Sequence, residues 1–250
     1  MFQLQSPDQT GMSGAPLLRS GWTMNSRISN WKGRRVWVIG ASSGIGAETA
    51  RKLLALGARV ALSARKAEAL HDIAAGHRDA MVVPLDVTRH EQVLAARDAL
   101  VDTWQGIDLV LIVAGAYHEM RVDNFDMQMV NRLIDVNLRG VFHCIDAALP
   151  VLLKQPGGGI GIVSSVAGYS GLPRALAYGP TKAALINLAE SLYFDLHPRG
   201  HSVYLINPGF VATQATAGND FDMPGLISAP EAAGHIVRGI ERGAFHIHFP

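Results

Sequence analysis

Short apolar runs alternate with longer amphipathic segments along most of this chain. The runs rich in Val, Ile and Leu predict buried strands near residues 35–39, 59–63, 80–83, 108–113, 159–164, 202–206 and 245–249. Helical patterns fill the gaps, and the longest predicted helices cover about 125–154 and 177–197. Strands that alternate with helices form a parallel sheet covered on both faces, because each parallel connection needs a crossover. The pattern therefore predicts one α/β domain built on a parallel seven-stranded sheet.

The first 30 residues have a different texture, with scattered Ser, Gly, Pro, Gln and Asn and no periodic apolar face. We expect a flexible or loosely docked N-terminal extension over 1–30, followed by a single domain over 31–250. The extension lacks the basic start and continuous apolar stretch of a secretory signal. No window is long and apolar enough to predict a transmembrane segment.

Composition narrows the classes of partner. The 22 Lys and Arg nearly balance the 21 Asp and Glu, so the formal net charge is +1 and no broad field favours nucleic acid. Cys144 is the single cysteine, which excludes an intramolecular disulfide and fits a reducing, cytoplasmic location. His246 and His248 share one face of a predicted strand but lack a third ligand, so we interpret them as sheet residues and predict no metal site.

A glycine-rich turn joins the first predicted strand to the helix that follows it. Gly40 would permit the tight turn, Gly44 the close approach of the backbone to a pyrophosphate, and Gly46 the packing of helix on strand. An ordinary glycine turn is the alternative, but a strand before and a helix after are what a dinucleotide site requires. The predicted contact residues of this turn are Gly40, Ser42, Ser43, Gly44, Ile45 and Gly46.

Tyr178 and Lys182 stand four positions apart and would share one face of a helix. A phenol with an ordinary pKa near 10 needs a nearby positive charge to exchange protons with an alcohol or a carbonyl. Ser165 follows a predicted buried strand, thirteen positions before the tyrosine, and its hydroxyl would hold a substrate oxygen. Such a Tyr and Lys pair is also common on exposed helix faces, so its value depends on the other motifs.

Taken together, these motifs resemble the short-chain dehydrogenase/reductase family over about residues 32–250. Leu85-Asp86-Val87, Ala114-Gly115, Asn137 and the run from Asn207 to Thr213 match the family pattern in order. The resemblance implies a Rossmann-type, doubly wound fold. It also implies a nicotinamide cofactor and hydride transfer between the cofactor and a carbonyl or secondary alcohol.

The resemblance assigns roles to further residues. Tyr178 would donate the proton, Ser165, rather than its neighbour Ser164, would orient the substrate oxygen, and Asn137 would hold a water that links Lys182 to solvent. Lys182 would also lower the pKa of the phenol and bind the nicotinamide ribose. The remaining cofactor contacts would be Asp86 and Val87 at the adenine, and Ala114, Gly115, Pro208, Gly209, Val211 and Thr213.

Two positions depart from the family pattern. Ile39 stands where a Thr usually precedes the first glycine, and Ile112-Val113 replaces an Asn-Asn pair before Ala114. The missing Asn removes a side chain that braces the central strand. We expect backbone and packing to take over that role.

The end of the second predicted strand bears on cofactor choice. A carboxylate there binds both ribose hydroxyls and repels a 2′-phosphate, but this chain has Ala64, followed by Arg65. A guanidinium grips a phosphate bidentately, and Ser43 and Ser63 offer further donors. These features favour NADP(H) over NAD(H). A solvated surface arginine is the alternative.

The substrate is predicted to be a fairly apolar ketone or aldehyde. The loop over about 212–228 contains Phe221, Met223 and Leu226 between Gly and Pro residues, as a mobile lid would, and Tyr169, Leu172 and Leu176 would line the opposite wall. These residues would equally well pack the loop onto the body.

Two further expectations concern assembly and rival functions. The apolar helices over 125–154 and 177–197 suggest a homodimer or homotetramer, unless those faces only cover their own sheet. A non-catalytic NADP(H)-binding sensor and a structural subunit of a reductase complex are the alternatives to an enzyme. The intact Ser, Tyr, Lys and Asn set favours the enzyme.

Overall fold

The computed structural model describes residues 25–218 and 221–250. Its strands are β1 Arg35–Ile39, β2 Arg59–Ser63, β3 Ala80–Val82, β4 Leu109–Ile112, β5 Gly159–Val163, β6 Ser202–Pro208, β7 Val211–Ala212, β8 Ile227–Ser228 and β9 His246–Phe249. Its α-helices are α1 Gly44–Ala55, α2 Ala67–Ala74, α3 His90–Trp104, α4 Met127–Ile134, α5 Gly140–Leu152, α6 Tyr178–Leu196 and α7 Ala229–Glu241.

Over these residues, seven strands form one parallel sheet in the order β3-β2-β1-β4-β5-β6-β9. The strand order reverses direction between β1 and β4, so the connections on either side of this point run to opposite edges. A crevice opens at the carboxyl ends of the strands at such a switch point. The predicted Rossmann-type, doubly wound architecture is confirmed.

Alternation along the strands divides the core into two layers. On β1, Trp37 and Ile39 face the layer that contains α3, α5 and α6, while Val36 and Val38 face the layer that contains α1, α2 and α7. Successive strand side chains point to opposite faces, so a strand buried on both sides must be apolar throughout. This requirement explains the continuous apolar runs in the sequence.

The segment predicted as one helix over 125–154 is instead divided into three parts. Asp126 caps the start of α4 by accepting from the backbone N–H groups of Gln128 and Met129. A π-helical turn over Asp135–Arg139 then separates α4 from α5. Such a turn inserts an extra residue into the helix and redirects the side chains beyond it. The segment is therefore helical from Met127 to Leu152, close to the predicted 125–154, but it contains a π-helical turn that the sequence pattern did not predict.

Packed structure includes residues on the amino side of the predicted domain boundary at residue 31. Asn25 is only 2% exposed, and its side-chain amide exchanges two hydrogen bonds with the backbone of Val203, at 2.7 and 3.1 Å. The cause is the sheet edge: β9 pairs with β6 only from Leu205 onward, so Asn25 satisfies the backbone groups of Val203. A flexible extension therefore does not describe Asn25. Residues 1–24 lie outside the described part of the chain.

Within the described residues, no helix is both long enough and apolar enough to cross a membrane.

Candidate active site

The glycine turn between β1 and α1 is shaped by close backbone contacts. Gly40 has a φ of +100°, and a Cβ at this position would overlap the backbone of Ala114. Gly46 packs its α-carbon against the carbonyl of Gly40, which brings the first turn of α1 onto the end of β1. Gly44 has a φ of +54°, and a Cβ there would lie 2.9 Å from the Thr213 methyl group. All three positions therefore require glycine, for the reasons of turn and close approach that the sequence suggested.

A cavity of ≈ 1280 Å³ opens at the carboxyl ends of β1, β4, β5 and β6. Its volume and its glycine-lined floor fit a dinucleotide together with a small substrate. Of the predicted catalytic residues and the cofactor contacts that the resemblance assigns, Asn137 is the one that is not part of its wall among the residues described. The wall includes Gly40, Ser42, Ser43, Gly44, Ile45, Gly46, Ala64, Arg65, Asp86, Val87, Ala114, Gly115, Ser165, Tyr178, Lys182, Pro208, Gly209, Val211 and Thr213.

Tyr178 begins α6 and faces the cavity. Burial raises the pKa of its phenol to about 12, and Tyr117 raises this pKa further. A hydrogen bond with the Ser165 hydroxyl acts against this rise and lowers the pKa of the phenol. The Tyr117 ring meets the Tyr178 ring edge-on, with centroids 5.1 Å apart. The phenol is therefore protonated at neutral pH and suited to donate a proton. Nothing in the sequence indicates a role for Tyr117, because it lies 61 positions before Tyr178.

Lys182 lies one helical turn beyond Tyr178 and is 4% exposed. Its Nζ donates a hydrogen bond of 3.0 Å to the Val163 carbonyl and sits 5.6 Å from the Tyr178 ring centroid. Burial lowers the pKa of this ammonium group from 10.5 to about 8. Burial thus moves the two pKa values in opposite directions, up for the phenol and down for the ammonium group. That Lys182 lowers the pKa of the phenol stays a prediction.

Ser164 and Ser165 have separate surroundings although they are adjacent. Ser164 is buried, and its Oγ donates to the Lys182 carbonyl at 2.7 Å, which fixes α6 against the end of β5. Ser165 caps a short 3-10 turn over Val166–Gly168 by accepting from the Ala167 N–H at 3.1 Å, and it reaches the Tyr178 phenol. The geometry favours Ser165 as the hydroxyl that acts beside Tyr178.

Asn137 is fully buried inside the π-helical turn. Its Oδ1 accepts from the Ala116 N–H at 2.6 Å, and its Nδ2 donates to the Ala116 carbonyl at 2.9 Å and to Thr181 Oγ1 at 3.2 Å. The side chain thus holds the loop after β4 against α6. Gly115 lies between this side chain and Lys182: a Cβ at Gly115 would be 3.4 Å from Lys182 Nζ and 3.5 Å from Asn137 Oδ1. Its role in holding a water stays a prediction.

Asp86 and Val87 form the far wall of the cavity after β3. Thr88 donates to Asp86 Oδ1 from its N–H at 2.9 Å and its Oγ1 at 2.8 Å. Burial alone would raise the pKa of Asp86, but these bonds and the charge of Arg65 hold it below its usual value. His143 on α5 supports the loop from behind, since its Nδ1 lies 2.8 Å from the Val87 carbonyl. No pattern in the sequence indicates this contact, because 56 positions separate the two residues.

The end of β2 places Ala64 and Arg65 at the cavity wall, with Arg65 exposed. Within the described part of the chain, Arg65 has no carboxylate within 4 Å. Ser63, expected to be a further donor to the cofactor, is fully buried. Its hydroxyl accepts from Trp37 Nε1 at 2.9 Å and donates to the Val83 carbonyl at 2.7 Å. That expectation is wrong, because the core already uses the Ser63 hydroxyl.

The brace expected at the missing Asn is made by the backbone. The N–H groups of Val113 and Ala114 both donate to the Ile39 carbonyl, each at 2.8 Å. These bonds extend the pairing of β4 with β1 into the turn, where no side chain is needed.

The substrate side of the cavity is more polar than the sequence suggested. Of the apolar residues expected there, Leu172 and Phe221 line the wall, but Tyr169, Leu176, Met223 and Leu226 are not part of it among the described residues. The other described lining residues of this side include Tyr117, Gln128, Asn131, Pro173, Arg174, Phe210, Asp222 and Pro224. The loop between β7 and β8 therefore contributes only part of its apolar surface.

This geometry defines a class: a doubly wound protein with a dinucleotide-sized cavity and a Ser, Tyr and Lys cluster at the switch point. A family model for short chain dehydrogenases matches residues 34–223. The chain belongs to the short-chain dehydrogenase family. It is therefore an oxidoreductase of a family that acts on alcohol and carbonyl groups and uses a nicotinamide dinucleotide.

Relatives support the same assignment. The chain is 36% identical over 201 residues to an uncharacterized oxidoreductase of Staphylococcus epidermidis, covering 80% of this chain and 87% of that protein. It is also 36% identical over 221 residues to an uncharacterized oxidoreductase of Myxococcus xanthus, covering 87% of each. A crystal structure described as ribose-5-phosphate isomerase from Brucella melitensis superposes with a TM-score of 0.80 at 26% identity, covering 88% of this chain and 92% of the other.

Proposed function

We propose that the protein is an NADP(H)-dependent oxidoreductase that reduces a ketone or an aldehyde, with Tyr178 as the proton donor. The observation that carries this proposal is the arrangement of Tyr178, Ser165 and Lys182 around one end of the cavity. Because its pKa is raised to about 12, the phenol is protonated at neutral pH. A group that donates a proton to a carbonyl oxygen must be in this form.

The cofactor supplies a hydride to the carbonyl carbon when it is bound. Ser165 and Tyr178 hold the carbonyl oxygen between two hydroxyl groups, so negative charge that develops on it meets two donors. Tyr178 then gives up its proton to that oxygen. Lys182, 5.6 Å from the ring centroid, stabilises the phenolate that remains. Its own hydrogen bond to Val163 fixes the position of that charge.

The preference for NADP(H) rests on the end of β2. Ala64 leaves room where a carboxylate would repel a 2′-phosphate, and Arg65 presents a guanidinium without a carboxylate within 4 Å among the described residues. Lys66 adds a second cation to the same part of the wall. The three residues together suit a phosphorylated ribose.

The residues that surround the substrate end suggest a carbonyl compound with both apolar and polar parts. Leu172, Phe210 and Phe221 offer apolar contacts, while Gln128 and Asn131 on α4 offer amide groups. A fairly apolar ketone or aldehyde with at least one polar substituent fits this wall better than a hydrocarbon chain does.

The direct test is NADPH and NADH oxidation by the purified protein against a panel of ketones, aldehydes and quinones, with cofactor binding followed by fluorescence. Tyr178→Phe is expected to lower turnover by roughly 10²–10⁴-fold while NADPH binding is retained. Tyr193→Phe is the matched control, because Tyr193 lies on the same helix within the core layer. Tight NADPH binding without turnover on any substrate would instead support a sensor or a structural subunit.

We also infer a homodimer or homotetramer in the cytoplasm. Large apolar side chains are exposed on both helical segments expected to pair: Phe142 on α5 by 48%, Leu153 just after α5 by 45% and Phe194 on α6 by 62%. The buried Cys144 thiol fits a reducing compartment. Sedimentation velocity at several protein concentrations measures the assembly, and Phe142→Arg is expected to shift it toward monomer.

A further inference from the structure

His246, on the last strand of the sheet, lies at the junction of two segments that border the active site. The phenol of Tyr169 lies 2.6 Å from His246 Nε2, and the side-chain amide of Asn207 lies 2.9 Å from the same nitrogen. The Tyr169 and His246 rings meet edge-on with centroids 5.8 Å apart. With the amide in this orientation, Asn207 Nδ2 can only donate, so Nε2 is the acceptor and the ring proton resides on Nδ1. The Tyr169 hydroxyl then shares the single lone pair of Nε2.

A short turn connects Tyr169 to the catalytic serine. Tyr169 ends the 3-10 turn that Ser165 caps, and its N–H donates to the Val166 carbonyl at 3.1 Å. The Gly168 N–H donates to the Ser165 carbonyl at 2.9 Å. A displacement of the Tyr169 side chain would therefore turn the peptide that carries Ser165.

The segment that contains Asn207 contacts the same serine from the other side. Asn207 is fully buried and precedes Pro208, whose carbonyl lies 3.5 Å from Ser165 Oγ. The next residue, Gly209, donates its N–H to the Phe249 carbonyl at 2.7 Å, so β9 also holds the segment that the resemblance places over the nicotinamide. Ser165 thus lies between two segments, one with Tyr169 and one with Asn207, that both contact the His246 imidazole.

We propose that His246 is a positioning residue for Ser165, which holds the serine turn and the Pro208 segment at a fixed separation through Tyr169 and Asn207. This inference rests on the proposed function, because it gives Ser165 its importance. Burial, together with the charge of His248, lowers the pKa of His246, which agrees with a neutral acceptor at neutral pH. The role is absent from the sequence pattern, where His246 looked like an ordinary strand residue.

The test compares His246→Phe, which keeps a ring but removes the acceptor, with His246→Gln, which restores an acceptor oxygen. Loss of the acceptor that Tyr169 and Asn207 share is expected to lower kcat by roughly three- to tenfold, with KM for NADPH within about twofold of wild type. His246→Gln is expected to recover most of kcat. The matched control is His248→Phe on the same strand, which is expected to keep wild-type kcat.

A second measurement follows the hydrogen bond itself. The ¹⁵N chemical shift of His246 Nε2 is expected to mark an unprotonated acceptor, and Tyr169→Phe is expected to move it. An unmoved shift overturns the contact. Wild-type kcat in His246→Phe, an equal loss in His248→Phe, or a loss that His246→Gln does not recover overturns the positioning role. Turnover that survives Tyr178→Phe in the same assay would instead refute the proposed function.

Discussion

Polar side chains at the amino ends and at the carboxyl ends of the parallel strands differ in whether they are paired. At the amino ends, Arg35 and Asp108 form a bidentate ion pair, with bonds of 2.6 and 3.2 Å, and Arg35 also donates to the Trp104 carbonyl. Gln155 exchanges two bonds with the backbone of Ile107, and Asn25 does the same with Val203. These four polar side chains are each matched by a partner.

At the carboxyl ends, the polar groups surround a cavity and few of them are neutralised. Lys182 is buried with a single hydrogen bond to a backbone carbonyl and no carboxylate within 4 Å among the described residues. Arg65 is exposed at the rim. Groups that stabilise one another leave nothing for a ligand, whereas groups held without a counter-charge destabilise the fold but remain able to act. The comparison separates the stabilising end of the sheet from the functional end.

The sharpest test of this comparison is Lys182→Met, which removes the buried charge. Turnover is expected to fall by roughly 10³-fold, because the phenolate of Tyr178 loses its cation. Stability at pH 7 is expected to rise by about 1–3 kcal/mol, because burial holds the pKa near 8, well below 10.5, and so disfavours the charged form in the fold. Enzyme assays and urea denaturation measure both changes.

The sign of the pH dependence follows from the same shift. Below pH 8 the lysine is charged in both the folded and the unfolded chain, so the full cost is present; above about 10.5 it is neutral in both, and the cost disappears. The gain from Lys182→Met should therefore shrink as pH rises from 8 to 10.5. Lys154→Met, at an exposed position, is the control. A loss of stability in Lys182→Met at pH 7 would contradict the prediction.

Ala64→Asp tests the functional end at the cofactor. A carboxylate at this position would repel a 2′-phosphate and accept from ribose hydroxyls, so kcat/KM for NADPH is expected to fall by roughly 10²-fold while that for NADH rises. Steady-state kinetics with both cofactors measure the switch. Ala64→Asn has a similar size without the charge and is expected to change the ratio far less. An unchanged ratio in Ala64→Asp would refute the assignment of β2 to the ribose.

Asp108→Asn tests the stabilising end. The isosteric amide removes the charge that Arg35 grips, and the free energy of unfolding is expected to fall by about 1–3 kcal/mol without change in NADPH affinity. Burial raises the pKa of Asp108, but the bonds and charge of Arg35 outweigh it and hold the pKa below 3.8. The contribution is therefore present at neutral pH and is lost as pH falls through the lowered pKa. Denaturation at pH 7 and pH 3 measures it; equal effects at both would contradict it.

Asn25→Ala is expected to have the smallest effect. It leaves the N–H and carbonyl of Val203 without their partners, which costs about 1 kcal/mol when water replaces them in part. Thermal unfolding measures the loss, and Asn30→Ala, at an exposed position in the same segment, is the control. An effect no larger than that of Asn30→Ala would show that the segment contributes nothing to the sheet edge.

The sequence was a reliable guide where a structure depends on neighbours in the chain. The first two predicted strands have the bounds of β1 and β2, and the glycine spacing placed Gly40 and Gly46 at positions where a Cβ would overlap backbone. Apolar runs and glycine turns are local properties, so periodicity and steric limits are enough to predict them. Tyr178 and Lys182 likewise share a helix face because four residues separate them.

The sequence was a poor guide where distant residues compete for the same group. The π-helical turn at Asn137 depends on the Ala116 backbone, 21 positions away, and nothing within 125–154 reveals it. The sequence around Ser63 suggests a free donor, but in the fold its hydroxyl is bonded to Trp37 and Val83. A donor or acceptor can serve only a few partners, and the packed fold decides which ones.

The sequence by itself determined the doubly wound fold, the glycine cradle and the residues able to carry chemistry, because their patterns repeat with the geometry of strand, turn and helix. Only the tertiary structure decided that the core engages the Ser63 hydroxyl, how far burial moves the pKa of Lys182, and that His246 contacts both Tyr169 and Asn207 beside Ser165. Those outcomes depend on burial and on contacts between segments far apart in the chain, and no local pattern encodes them.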